Sequence, residues 1–217
     1  MNKILTFDCY GTLLNTAPLY DFVGKLAESN GLSAQKAINI FSSYEDRLMY
    51  GEDFINYDKL LFEILSYCDM EMNSDIFASQ YDNVLSLHKE FQPFPDVLKA
   101  LRTLKQNGYS LAVMSNSTNQ IMDWHMEKLE HLFDDRLLAE DTKCYKPNLR
   151  FFQIAERKFD LNMKKHCHIA KGYWWDIVPA HKMGWNKIWV NRTNLLHGRN
   201  TEQPYLTVST LLELPQI

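Results

Sequence analysis

Four polar landmarks stand out in this 217-residue chain because each follows a short apolar or aromatic run or precedes a proline. They are Asp8 in Phe7-Asp8-Cys9-Tyr10-Gly11-Thr12-Leu13, the pair Ser115-Asn116, Lys146 in Tyr145-Lys146-Pro147, and Asp176 in Trp174-Trp175-Asp176. Together they offer two carboxylates, an ammonium, a hydroxyl and an amide. A carboxylate can attack as a nucleophile or take a proton from water. An ammonium keeps a neighbouring carboxylate ionised, and hydroxyls and amides bind anions. Singly, each landmark has an ordinary explanation: an Asp at a strand end turns or caps the chain, Ser-Asn is a turn, and Lys-Pro is a solvated loop. Occurring together in this order, they point to one assembled site.

The surrounding elements say where such a site would lie. Lys3 to Phe7 is a short apolar run that stops at Asp8, followed by a glycine turn, as a buried parallel strand ends. Residues 109–114, 166–170 and 186–190 repeat the plan. Helical patterns lie between them. Pro95 to Gln106 carries Val97, Leu98, Leu101 and Leu104 on one face and is closed by Gly108; Asn148 to Phe159 and Asp176 to Met183 behave similarly. Strands alternating with helices predict an α/β fold, a doubly wound parallel sheet, which binds ligands beyond the carboxyl ends of its strands. From about Pro18 to Leu87 the alternation breaks into an aromatic-rich helical stretch, and Pro93 and Pro95 mark the return. The expected organisation is a core of residues 1–15 and 91–217 with a helical cap of residues 16–90 inserted after the first strand.

Composition narrows the partners. A formal net charge of -4 offers no basic face to nucleic acid or to an anionic membrane. No apolar run nears the ~20 residues that span a bilayer. The four cysteines are far apart with no CxxC pair, so they read as reduced thiols, and the apolar stretch before Asp8 is too short for a secretory leader. The expectation is a cytoplasmic protein acting on a small molecule.

The segment Asp8-Cys9-Tyr10-Gly11-Thr12-Leu13, with Ser115, Lys146 and Asp176 at the later places, resembles the haloacid dehalogenase-like superfamily. That resemblance implies a Rossmann-like core with an inserted cap, and a hydrolase in which Asp8 is the nucleophile and Lys146 and Asp176 complete the catalytic set. A covalent aspartyl ester splits one hard displacement into two easier steps. Lys146 would keep Asp8 charged, Gly11 would let backbone N–H groups approach, Thr12, Ser115 and Asn116 would bind the substrate carboxylate, and Asp176 would activate the water that cleaves the ester. Family members often pair as homodimers through cap helices.

Two reactions use this plan. The family's phosphatases need a general acid two residues after the nucleophile and Mg²⁺ to hold a phosphate dianion. Here that place holds Tyr10, and an unperturbed phenol titrates near 10. A halide leaves without a proton, so a dehalogenase loses nothing. The phosphatases also carry a metal-ligating Asp five residues before the later acid, where this chain has Lys171. An ammonium ~5 Å from Mg²⁺ would cost on the order of 6 kcal/mol at an effective dielectric of ~20. The favoured reading is therefore an (S)-2-haloacid dehalogenase type without metal or other cofactor. In the alternative, a Mg²⁺-dependent phosphatase of a small phosphorylated metabolite, Asp8 and Asp176 would hold the ion, joined by an acid such as Asp141 if Lys171 points to solvent. A third reading is a catalytically impaired binding protein.

The resemblance also implies a halide cradle of Asn116, Trp175 and the cap residue Phe54, with Tyr10 at the substrate. Against it, the cap lacks the family's Arg: the matching place falls near Gln35 and Lys36. Lys171 and Tyr173 replace a Ser and an Asn, and Phe152 replaces a Tyr. Lys171 is the candidate for the missing cation, as a point charge on the substrate carboxylate. His166 and His168, two apart on a strand, read as packed or surface histidines, and Cys9 as buried.

Overall fold

The computed structural model describes residues 3–51, 53–162 and 164–214. Residues 1–2 and 215–217, which the expected domain limits include, lie outside them. The chain divides into two compact units: the segment up to Asn15 together with the segment from Gln92 onward, and Thr16–Phe91 between them. Phe91, expected in the core, falls in the inserted unit, where its ring lies 5.0 Å from that of buried His88.

The larger unit is built on six parallel strands, β1 (Ile4–Phe7), β4 (Ser110–Ser115), β5 (Asp135–Leu138), β6 (His166–Ala170), β7 (Lys187–Val190) and β8 (Leu206–Val208). Their order is β5-β4-β1-β6-β7-β8. A two-stranded antiparallel ribbon, β2 (Leu14–Asn15) with β3 (Gln92–Pro93), stands where the chain leaves and re-enters this unit. Central β1, β4 and β6 are buried almost throughout, as apolar runs in a parallel sheet must be. Helix α5 (Val97–Gln106) buries Val97, Ala100, Leu101 and Leu104 along one stripe. It is followed by α6 (Asn119–Lys128), α7 (Ala139–Thr142) and α8 (Leu149–Lys158), the last capped by the Asn148 side chain accepting from Arg150 N.

Sequence periodicity missed two strands and misread one helix. β5 opens with Asp135-Arg136, and β8 is three residues long at an edge with Leu206 exposed, so neither shows an apolar run. The helix expected over Asp176–Met183 is a π-helical turn, Tyr173–Ile177, leading into α9 (Val178–Lys182). Single π turns are frequent at functional sites. This one carries Asp176.

The inserted unit is helical, with α1 (Ala17–Ser29), α2 (Ala34–Met49), α3 (Tyr57–Met72) and α4 (Tyr81–Leu87). Its core takes Val23, Phe41, Leu60, Leu61, Ile64, Phe77 and Val84. Glu45 sits inside it, accepting from the hydroxyls of Tyr20 at 2.9 Å and Tyr57 at 3.0 Å. No helix among the described residues is long and apolar enough to cross a membrane.

Candidate active site

Three adjacent strands deliver the site. Asp8 is the first residue after β1, Ser115 is the last of β4, and Lys171 is the first after β6. A tight turn follows Asp8, with Leu13 N and Leu14 N both donating to Cys9 O, and Gly11 taking φ +75°. Lys171 crosses this turn: its Cδ lies 3.4 Å from where a Gly11 Cβ would stand. A side chain at position 11 would be strained by its backbone and crowded as well.

Lys146 is the centre. It is 1% exposed, and its three ammonium hydrogens have three acceptors: Asp8 Oδ1 at 2.8 Å, Asp176 Oδ1 at 2.6 Å and Met114 O at 3.0 Å. Thr12 Oγ1 donates to the other Asp8 oxygen at 2.6 Å and accepts from Lys171 N at 2.7 Å. Asp176 receives a further hydrogen bond on Oδ1 from His168 Nε2 at 3.0 Å, while its Oδ2 has no partner among the described residues. Gly172 makes room for that oxygen, since a Cβ there would stand 2.5 Å from it.

One ammonium between two buried carboxylates leaves a net negative charge, and the two acids divide it unequally. Burial, reinforced by the Asp176 charge, raises the Asp8 pKa above the usual carboxylate range against the pull of Lys146 and Thr12. Burial also works to raise Asp176, but Lys146 and the His168 hydrogen bond outweigh it and hold that acid low. Burial works to lower the pKa of Lys146, but its two carboxylate partners raise it, so the ammonium stays charged.

Asp8, Lys146 and Asp176 are thus in direct contact. The other residues singled out from the sequence are placed as follows. Asn116 brackets the Lys146 peptide, with Oδ1 accepting from Lys146 N at 2.7 Å and Nδ2 donating one of its hydrogens to Lys146 O at 3.1 Å. Thr12 has given its only hydrogen to Asp8, so it cannot donate to a substrate carboxylate. The Tyr10 hydroxyl lies 2.8 Å from Ser117 Oγ, and its ring meets His125 edge to face at 5.5 Å. Ser115 Oγ is buried and has no partner among the described residues. Lys171 is exposed, with no ion pair among the described residues. Trp175 is half-buried in the π turn. Phe54 belongs to the inserted unit, between α2 and α3. Tyr173 lies on the C-terminal segment, accepting from Arg199 N at 2.8 Å. Cys9 is fully buried and burial pushes its thiol well up, which leaves it inert.

The donors do not suit a divalent cation. The two acids share an ammonium, and Lys171 stands where a third carboxylate would be wanted. Asp141 caps the start of α7, its oxygens taking Leu138 N and Asn119 Nδ2. Among the described residues no three His, Cys, Asp or Glu side chains gather to hold a metal.

Sequence reading missed the support behind Asp176. His168 and His166 are both buried, and both ring systems meet the Thr6 hydroxyl at 2.8 Å. Their period-2 spacing on β6 showed a shared face, but the partner on β1 is 160 residues away in sequence.

Relatives share this architecture. The chain is 28% identical to an (S)-2-haloacid dehalogenase of Burkholderia cepacia, covering 88% of this chain and 83% of that one. It is 27% identical to a glyceraldehyde 3-phosphate phosphatase of Methanothermobacter thermautotrophicus, covering 88% and 86%. A crystal structure of a dehalogenase with an intermediate complex superposes with a TM-score of 0.82 at 26% identity, over 98% of this chain and 95% of that one. The profile of the haloacid dehalogenase-like hydrolases matches residues 2–184. By that match, and with a six-stranded parallel sheet presenting Asp8, Lys146 and Asp176 together, this chain belongs to the haloacid dehalogenase-like hydrolases.

Proposed function

We propose that this hydrolase releases halide from a small (S)-2-haloacid, with Asp8 as nucleophile. An Asp8 carboxylate oxygen attacks the carbon bearing the halogen. The carbon–halogen bond breaks, the halide leaves with the bonding electron pair, and the carbon is inverted. Asp176 then takes a proton from water, and the resulting hydroxide adds to the Asp8 carbonyl carbon. The ester breaks at its acyl–oxygen bond, the departing alkoxide takes back the proton held by Asp176 to become the 2-hydroxy acid, and Asp8 is regenerated with one oxygen from water, the second water proton passing to solvent as its carboxyl ionises. The observation that carries this reading is the Lys146 ammonium bridging Asp8 Oδ1 and Asp176 Oδ1 at 2.8 and 2.6 Å. It holds the nucleophile ionised in step one and the base ionised in step two.

Two groups remain for the substrate carboxylate: the unpartnered Ser115 hydroxyl and the Lys171 ammonium, acting as a point charge in place of a cap arginine. Tyr10 supplies no acid, and a departing halide requires none. The dehalogenase names among the relatives support this choice. The phosphatase relative sets the competing outcome.

Halide release from a panel of short (S)-2-haloacids is expected without added metal, and single turnover in ¹⁸O-water should place label in Asp8. Lys171→Ala should raise KM for these acids. An unlabelled Asp8, or EDTA-sensitive phosphate release from p-nitrophenyl phosphate in place of halide release, overturns the proposal.

A further inference from the structure

Both anchors of Asp176 fall on one oxygen. Lys146 Nζ and His168 Nε2 donate to Oδ1 at 2.6 and 3.0 Å, and Oδ2 is left bare. Behind His168 the contacts continue inward. His168 Nδ1 lies 2.8 Å from Thr6 Oγ1, and the same oxygen lies 2.8 Å from His166 Nε2. Thr6, His166, His168 and Asp176 are all buried. Trp185 covers the two rings, its centroid 4.7 Å from that of His166 and 6.1 Å from that of His168.

The hydrogens along this chain can be placed by counting. An ionised carboxylate only accepts, so His168 Nε2 carries a hydrogen. Burial and the neighbouring His168 push His166 down to about 3, so it is neutral. Thr6 has one hydrogen to give. If Thr6 gives it to His168 Nδ1 and accepts from His166 Nε2, every hydrogen in the chain has an acceptor. Besides Asp176 Oδ2, the atom left over is then His166 Nδ1 with its lone pair, and His166 Nδ1 is indeed a buried atom with no partner among the described residues. The opposite polarity would bury an unmet N–H on His166 instead, and orphaned donors are the rarer and costlier case. The chain therefore runs His166 to Thr6 to His168 to Asp176, each donating to the next.

We infer that His168 is a positioning residue for Asp176, held in its donating tautomer by Thr6 and His166, and that it fixes the carboxylate through Oδ1 so that Oδ2 takes the proton from water. The inference rests on the reading of Asp176 as the base of the second step. A ring needed only for packing would not bring three buried polar partners with it, since each costs free energy unless paired. The titratable and charged groups facing Asp176 are Lys146 from the loop before α8, Asp8 from the end of β1, and His168 from β6 with His166 behind it. Removing His168 takes away one of two donors and leaves Lys146 in place.

The test compares His168→Leu, His168→Gln and Thr6→Val with the unaltered enzyme. In single turnover, the halide burst that reports ester formation should be retained in His168→Leu. Hydrolysis of the ester should slow by about 10- to 100-fold, part of the 10²–10⁴ that general acid–base catalysis supplies. The Asp8 ester then accumulates and kcat falls. His168→Gln, whose amide N–H can be offered to Oδ1, should recover part of that loss. In ¹³C-carboxyl-aspartate spectra of the free enzyme, Asp176 should titrate at higher pH in His168→Leu than in the unaltered protein. If His168→Leu does not fold, Thr6→Val, which keeps the shape and breaks the tautomer lock, should show the same changes in weaker form. Unchanged ester hydrolysis together with an unmoved Asp176 titration overturns the inference. The spectroscopic arm needs no turnover, so a failure of the dehalogenase reading, seen as unlabelled Asp8 in the unaltered enzyme, is separable from a failure of this one.

Discussion

Two buried ionic clusters in the larger unit have opposite balances. Around Asp96, one acid meets one base. Oδ1 accepts from Arg192 Nη1 at 3.1 Å, and Oδ2 accepts from Thr210 Oγ1 at 2.8 Å and Leu211 N at 2.6 Å. Arg192 also donates from Nε and Nη2 to Thr12 O at 3.2 and 2.8 Å and lies 4.2 Å over the Phe94 ring. Around Lys146, two acids compete for one base, and Asp176 Oδ2 and Ser115 Oγ are left without partners. The pKa directions follow. Burial pushes Asp96 up, but the Leu211 N–H, Arg192 and Thr210 win and hold it below the usual range. Burial pushes Asp8 up, and with Asp176 beside it one lysine does not bring it back. A balanced cluster stabilises the fold. An over-subscribed one keeps a carboxylate poorly solvated and lone pairs unspent, which is the condition a nucleophile and a base require.

The sharpest way to break the contrast is Asp8→Asn. Loss of the nucleophile should lower turnover by about 10⁴-fold or more, measured as halide release. Stability should move the other way. Because the Asp8 pKa is raised, the folded protein holds that proton more tightly than the unfolded chain, so ionised Asp8 opposes folding at neutral pH. Asparagine has one oxygen for either Thr12 or Lys146, Lys146 keeps Asp176 as its carboxylate, and the repulsion between the two acids is removed. The Tm at pH 7 should rise, as it does when a strained functional group is neutralised. A Tm lower than that of the unaltered protein would show that the Lys146 cluster is balanced after all.

Next in size is Gly172→Ala. Gly172 has an ordinary backbone, φ -67°, so alanine brings no strain of its own. Its Cβ would stand 2.5 Å from Asp176 Oδ2, and Oδ1 cannot yield without losing Lys146 and His168. A displacement of that order should cost about 10²-fold in kcat, and the Tm should fall as well because the buried Lys146–Asp176 pair is loosened. An unaltered kcat would mean that the bare oxygen has no work to do where it sits.

How much of this was legible in the sequence depends on which interaction is asked about. β1, β4, β6 and β7 announced themselves because a strand buried on both faces must be apolar throughout. β5 and β8 did not, since an edge or charged opening relieves that demand. Asp8, Ser115, Lys146 and Asp176 could be singled out because each abuts a recognisable element. What each touches could not. Asn116 and Thr12 have the right chemistry for a substrate carboxylate, yet Asn116 holds the Lys146 peptide, 30 residues on, and Thr12 gives its hydrogen to nearby Asp8 while accepting from Lys171 N, 159 residues on. The His168 chain depends on the register Thr6 with His168 between β1 and β6, a fact of strand pairing that no spacing within either segment expresses. Hydroxyls and amides are the hardest to read from sequence, because the same atom serves ligand or backbone according to what folds against it.

The smallest effect is expected at the balanced cluster, and it should fall on stability alone. Asp96→Ala strands the Leu211 N–H and takes from Arg192 the only carboxylate it pairs with among the described residues, which should cost about 2–3 kcal/mol. Turnover well below the Tm should fall by less than about threefold, since the variant touches neither Lys146 nor its acids. The pH dependence has a defined sign. The Asp96 pKa is lower folded than the ordinary 3.8, so its contribution is complete above about pH 4 and is lost as pH falls through the lower, folded value. Denaturant unfolding of the unaltered protein and of Asp96→Ala should therefore differ by a constant amount at neutral pH and converge in acid. Asp8, whose pKa is shifted the other way, should show the reverse, its unfavourable charge disappearing as pH falls. If the Asp96→Ala difference instead persisted unchanged to pH 3, the cluster would owe its strength to packing of Arg192 on Phe94, and charge balance would not be what separates the two regions.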